Sequence, residues 1–268
     1  MNVRVGDIKI HYVEAGAGEP LLLVMGLGGD HTAWSFQIPA FSERYRVIAF
    51  DNRGVGQTDQ PDLPYTTAAM AEDTVGLMDA LGIPRAHVCG VSLGGMIAQE
   101  LALAHADRVL SLQLHCTLAR PDAYLLALGR TWLDMRAALS REAFTRAMML
   151  WLFTPATFAT RPEFVEGVVQ NALANPYPPT PVGFARQAGA VAGHDALDRL
   201  GRIRCPTLIT VGAEDILVPP RFSHTLRERI PRAELVVLEG SGHGHFLEIA
   251  PAFNEVVLGF LARTRGGR

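Results

Sequence analysis

The sequence predicts an α/β fold, a mostly parallel sheet flanked by helices, on three observations. Six short apolar runs recur along the chain: LLLVM (21–25), RVIAF (46–50), HVCGV (87–91), VLSLQL (109–114), TLITV (207–211) and ELVVL (234–238). Runs that stay apolar at consecutive positions suit strands covered on both faces, as parallel strands are. Helical patterns separate most of them, and strands alternating with helices define the α/β class. Strand signals then vanish from about Arg120 to Leu197 and resume at RIRCPTLITVG, so a helical insertion divides the sheet.

Each element has its own justification. At the amino end Ile8, Ile10 and Tyr12 alternate with Lys9, His11 and Val13, the period of a half-exposed strand. Gly6-Asp7 suits a tight hairpin turn from Val3–Val5 into it, which brings the sheet to eight strands. Met70, Leu77, Met78 and Leu81 mark one face of a helix, and Gly82 stands where a helix end favours a left-handed residue. A second helix is predicted from Leu93 to Ala104. The insertion carries the apolar cluster AMMLWLF (147–153) and a Pro-rich break, NPYPPTP (175–181). We therefore divide the chain into a core, residues 1–119 and 198–268, and a helical cap, residues 120–197, inserted after the sixth strand over the carboxyl ends of the strands.

Composition bounds the function. The 268 residues are 49% apolar, with 26 Gly, 17 Pro and a net charge of −3. That is a globular, turn-rich chain with no basic face for nucleic acid or an anionic membrane. The polar, alternating start is unlike a signal peptide, and no stretch approaches the ~18 apolar residues of a membrane span. Cys89, Cys116 and Cys205 form no CxxC pair, so free thiols and a cytoplasmic location are expected. A monomer or small homo-oligomer acting on a small molecule is expected, with no metal and no cofactor.

Chemistry concentrates at three strand ends. Gly90-Val91-Ser92-Leu93-Gly94 matches G-x-S-x-G between a strand and a helix. The serine must sit on a sharp, strained turn, and side chains two positions either side would collide with neighbouring backbone. Ser92 then lies at a helix amino end, where partial positive charge favours a developing anion. A serine hydroxyl needs a base and an acid. Asp215 follows the strand TLITV, and His243 follows ELVVL within EGSGHGHF. The order Ser92, Asp215, His243 is that of hydrolases built on this sheet type. His245 and Glu214 are the neighbouring alternatives. His243-x-His245 could also be a metal pair, but no further ligand cluster accompanies it.

Together these features resemble the α/β-hydrolase superfamily, in its cap-bearing esterase, lactonase and C–C hydrolase branch. The resemblance extends to DNRGVGQTD (51–59), with Thr58 where the family carries serine, to GAEDILVP, and to GHGHFLEIAP, where Glu248 and Pro251 follow the histidine at the family spacing. It implies a catalytic triad of Ser92, Asp215 and His243, with an oxyanion hole from the backbone N–H groups of Leu27 and Leu93. The implied activity is hydrolysis of small to medium hydrophobic carboxylic esters through an acyl-enzyme. An enol-lactonase resembling 3-oxoadipate enol-lactonase is the alternative, with Arg120, Arg130 and Arg186 as partners for an acidic substrate. A C–C hydrolase, a perhydrolase or a non-catalytic receptor would use the same fold. Trp34, Met148 and Trp151 are candidates for the substrate pocket.

The stretch LLLVMGLGGDHTAW (21–34) admits a second reading, as a dinucleotide loop with Asp51 on the ribose. Its third glycine is replaced by His31, and Asp30 would face the pyrophosphate, so the oxyanion reading is preferred. Family members commonly carry His-Gly where this chain has Met25-Gly26. A methionine offers no hydrogen bond, so packing must hold the loop, with Trp34 a candidate support.

Overall fold

Gly6, at φ +52°, turns β1 (Asn2–Val5) back onto β2 (Ile8–Ala15) as the sequence predicts. A computed structural model describes residues 1–264. In it β3 (Pro20–Val24), β4 (Arg46–Phe50), β5 (Ala86–Val91), β6 (Val109–His115), β7 (Thr207–Gly212) and β8 (Ala233–Leu238) complete one eight-stranded sheet, ordered β1-β2-β4-β3-β5-β6-β7-β8. β1/β2 and β2/β4 pair antiparallel, and every later pairing is parallel.

The apolar runs are explained by two-sided burial. In β3, Leu22 and Val24 enter one core cluster while Leu21 and Leu23 enter the other, and all four are fully buried. Each such side chain contributes roughly 1.5–3 kcal/mol by leaving water. The run ELVVL departs from this pattern. β8 is the sheet's edge, so Glu234 and Val237 are exposed, Ala233, Leu235 and Val236 are only partly covered, and Leu238 alone is buried.

In chain order the helices are α1 (Gln37–Ser42), α2 (Thr67–Ala80), α3 (Leu93–Ala104), α4 (Ala123–Ala138), α5 (Arg141–Leu152), α6 (Pro155–Thr160), α7 (Pro162–Ala174), α8 (Pro181–Ala192), α9 (Pro220–Arg229), α10 (His245–Glu248) and α11 (Ala250–Thr264). Met70 and Leu77 of α2, Ile97 and Leu101 of α3 and Leu226 of α9 fill one core cluster. Phe41 of α1 and Phe253, Val257 and Phe260 of α11 fill the other. α2 starts at Thr66, whose hydroxyl accepts from the Ala69 N–H, and Gly82 beyond its end has φ +64°. The stop is the one the sequence predicts, and the Thr66 hydroxyl supplies the cap at the other end.

Between β6 and β7 the chain makes five α-helices, α4 to α8, then a 3₁₀ helix at Leu197–Arg202, and no strand. Their starts are locally encoded. Asp122, Ser140, Thr154 and Thr180 each accept a hydrogen bond from the N–H three residues on, and Pro155, Pro162 and Pro181 occupy first turns. A proline there removes an N–H that would have had no partner anyway. Among the described residues no helix is long and apolar enough to cross a membrane.

Candidate active site

Ser92 links the end of β5 to α3 with φ +54° and ψ −117°, a backbone state that side chains other than glycine rarely adopt. The two flanking glycines are required by contact. A Cβ on Gly90 would come within 2.3 Å of the Gly94 carbonyl oxygen, and one on Gly94 within 2.0 Å of the Val24 oxygen. The spacing G-x-S-x-G is therefore set by the approach of β5, β3 and α3 to one another. The Ser92 N–H is anchored to the His115 carbonyl at 2.9 Å, and the Thr117 hydroxyl donates to the Ser92 carbonyl at 2.7 Å.

Asp215 sits in the loop after β7. Its Oδ1 accepts from the Leu217 and Val218 N–H groups at 2.9 and 2.8 Å, and its Oδ2 faces His243 Nδ1 at 2.8 Å. Both residues are 3% exposed. Burial pushes the His243 pKa down, yet the Asp215 carboxylate and the Cys116 side chain together outweigh it and hold the imidazole well above its ordinary value. Ser92 and His243 wall the same cavity of about 260 Å³. Topology thus brings residues 92, 215 and 243 to one crevice at the carboxyl ends of β5, β7 and β8.

The Leu27 and Leu93 N–H groups have no acceptor among the described residues, and Leu27 lines the same cavity. The Leu27 loop is braced despite the Met25 substitution. Asn52 Nδ2 donates to the Met25 carbonyl at 2.8 Å, and Gln187 Oε1 of α8 accepts from the Gly28 N–H at 2.9 Å. Met25 itself packs beneath Gly29, where an added Cβ would lie 2.9 Å from Met25 Cγ. Asp51 Oδ1 takes both the backbone N–H and Nδ1 of His31, at 2.9 and 2.7 Å. That bond raises the His31 pKa against the effect of burial. Asp51 therefore ties down the glycine loop, a different task from the ribose contact of a dinucleotide site. His11 completes a trio with His31 and Asp51 whose potential ligand atoms lie within 4.8 Å of one another, the one such group among the described residues.

Of the three pocket candidates, Met148 lines the cavity and the two tryptophans do not. Trp34 is fully buried behind the loop, its ring 5.6 Å from that of Phe246. Trp151 lies one layer back, edge-on to Trp132 at 5.4 Å, and it is Trp132 that reaches the cavity. Packing has claimed Trp34, whereas Trp151 is half-buried and walls a separate pocket with Phe153, Thr154 and Gly242. Leu152, Val168 and Phe184 of the insertion and Leu217 and Phe246 of the core complete an apolar wall. No arginine lines it. Arg120 pairs with Asp195 and Asp198 at 2.8 and 3.0 Å, Arg186 pairs with Asp62 at 2.6 Å, and Arg130 is exposed.

Three further residues act on the site through contacts that the sequence does not disclose. The Cys116 side chain, fully buried at φ +41°, interacts with both His243 and His245. His245 is a hydrogen-bonded neighbour, sharing a bond of 2.8 Å with the Thr210 hydroxyl. Glu248, 1% exposed, joins the insertion to the histidine loop. Its Oε1 accepts from the Thr154 N–H at 2.9 Å and from the Thr154 and Thr157 hydroxyls, and its Oε2 accepts from the Gly242 N–H at 2.6 Å. The Gly244 N–H reaches the Leu152 carbonyl at 2.7 Å. The sequence places Glu248 by spacing alone. Its acceptors' partners lie 91 and 94 residues away and could not be read.

Comparison with known proteins agrees with this architecture. Residues 19–249 match the family described as alpha/beta hydrolase fold. The chain is 35% identical to the protein named "Putative carbamate hydrolase RutD" of Azorhizobium caulinodans, over 95% of this chain and 96% of that one. Among solved structures, a thermophilic esterase from Thermogutta terrifontis superposes with TM-score 0.88 at 30% identity, covering 98% of this chain and 99% of that one. The enol-lactonase from Burkholderia xenovorans LB400 superposes with TM-score 0.89 at 28% identity, covering 98% and 100%. The chain belongs to the alpha/beta-hydrolase family.

Proposed function

We propose that this hydrolase is a serine-dependent carboxylic ester hydrolase for uncharged, mainly apolar substrates, with residues 120–197 serving as its cap. The observation that carries the proposal is the convergence of a strained, helix-capping Ser92 with a His243–Asp215 pair on one apolar cavity. His243 removes the Ser92 proton as Oγ attacks the ester carbonyl. The N–H groups of Leu27 and Leu93 receive the oxyanion, each donor worth on the order of 3 kcal/mol of barrier. His243 passes its proton to the departing alcohol, leaving an acyl-serine. Water then attacks that ester with His243 as base, releasing the acid and restoring Ser92. Asp215 keeps the imidazole oriented and steadies its charged form.

Apart from His243, no cationic side chain walls the cavity, which favours a neutral substrate over an acidic lactone. Relatives named for carbamate and lactone hydrolysis make neutral carbamate esters and simple lactones the natural members of a substrate panel, since both present the same electrophilic carbonyl. Ser92→Ala should abolish turnover across the panel with the fold intact, and a fluorophosphonate should label wild type alone. Retention of most activity in Ser92→Ala would overturn the assignment, and a wild type inert to both esters and fluorophosphonate would return the chain to a binding role.

A further inference from the structure

A second chamber adjoins the one at Ser92. An outer groove of about 370 Å³ lies between the 28–36 segment and α7. It meets the inner cavity along a seam of Gly28, Gly29, Ala33, Val168, Ala172 and Leu247, which wall both spaces. The chemistry changes across the seam. Hydrocarbon and aromatic groups dominate the inner wall, whereas the outer groove adds Asp30, Thr32, Ser35, Asn171 and Asn175.

α7 faces this groove with one helical stripe, Phe164, Gly167, Val168, Asn171 and Ala172, while Val165 and Val169 turn into the cluster with Met149 and Phe153. Gly167 stands in mid-stripe. A Cβ there would meet nothing within 4 Å, so no packed neighbour requires the glycine. Glycine inside a helix is unfavourable relative to alanine. What its bareness provides is an unobstructed groove opposite the glycine loop. The side chains of Ser35 and Asn171 make no hydrogen bond to another described residue. Asp30 is held on the wall by the Thr32 N–H at 2.9 Å and by the Asn175 amide.

We propose that this groove is a substrate subsite that receives the end of the ester remote from the scissile carbonyl, that the end it accepts is uncharged and carries a hydroxyl or amide, and that Gly167 sets its width. The inference rests on the ester-hydrolase reading above. Ser35 and Asn171 supply hydrogen bonds to such a group, and the fixed Asp30 repels a carboxylate in its place.

The test compares wild type, Gly167→Ala and Gly167→Phe. The substrates are p-nitrophenyl acetate, p-nitrophenyl 8-hydroxyoctanoate, 8-hydroxyoctyl acetate and the terminal carboxylates matching the two long esters. Gly167→Phe should lose tenfold or more in kcat/KM on at least one hydroxylated long ester while staying within twofold of wild type on p-nitrophenyl acetate. Gly167→Ala should fold and fall between wild type and Gly167→Phe on the hydroxylated long esters. Wild type should prefer the hydroxyl-ended chains to the carboxylate-ended ones by at least fivefold. Equal losses by Gly167→Phe on short and long esters, or no preference against the carboxylate, would overturn the subsite and leave the hydrolase reading standing. A wild type inactive on every ester would overturn that reading and the subsite's role with it.

Discussion

One oxygen of the Asp215 carboxylate is held by the backbone of its own loop, and the other faces the His243 ring. The side chain is thus fixed before it orients the imidazole, and replacing it by asparagine preserves the shape while removing the charge. Asp215→Asn should lower kcat by about 10⁴-fold, the scale seen for the equivalent change in serine proteases, with little change in thermal stability. The same pair sets a pH dependence. As the proposed base His243 must be neutral to act, and Asp215 and Cys116 hold its pKa above the ordinary 6.5. The kcat/KM of wild type should therefore rise with pH along a limb above 6.5 and fall on acidification. A limb centred at or below 6.5 would show that Asp215 does not dominate the histidine in solution. Cys116 adds a polarisable neighbour to both imidazoles at a strained backbone position. Its proximity to the crevice could be guessed from the end of a strand, but its influence on His243 could not, because β6, β7 and the 242–245 loop meet only in three dimensions.

The elements that position the site are joined by a buried carboxylate. Glu248 accepts from the linker between α5 and α6 through one oxygen and from Gly242 through the other. Glu248→Gln would turn an amide N–H toward donors on one side or the other, leaving buried groups unmatched at about 1–3 kcal/mol. A fall of several degrees in melting temperature is expected, with kcat reduced more than KM is raised. A variant with unaltered kcat would mean that the insertion and the histidine loop are positioned independently. The legible parts of the fold are those with local chemistry: the hairpin turn at Gly6, the stop at Gly82 and the G-x-S-x-G turn. Parts that depend on distant partners were read less well. The edge position of β8 gives Val237 to solvent although its run is as apolar as the buried ones. Trp34 and Trp151 look like pocket residues by type, and packing against Phe246 and Trp132 removes them from the wall. Gln187, which holds the Gly28 N–H across 159 residues, has no sequence signature at all.

At the scale of the whole molecule, acid should weaken the fold through His194. This residue is buried between α2, α3 and the segment leading into β7, with Nδ1 sharing a 3.0 Å bond with the Thr67 hydroxyl. Burial lowers its pKa from 6.5 to about 4. The imidazole is therefore neutral at pH 7, and the Glu100 carboxylate 3.7 Å away does not form an ion pair with it. Between pH 6.5 and 4 the unfolded chain binds a proton that the native one refuses, so stability falls as pH falls through that window, by roughly 3 kcal/mol in all. Denaturation midpoints of wild type should drop across this range more steeply than those of His194→Gln. Parallel profiles would exclude the mechanism.

The bonds between the insertion and the loop after β8 also fix the size of the unit that could be transplanted. Cutting at the ends of β6 and β7 would move α4 to α8 but leave Glu248, Gly242 and Gly244 facing a foreign linker. A chimera meant to change substrate range must carry residues 242–248 together with the inserted helices. The unit of exchange is therefore two stretches of chain separated by a strand–helix–strand segment, and its border follows hydrogen bonds across the interface.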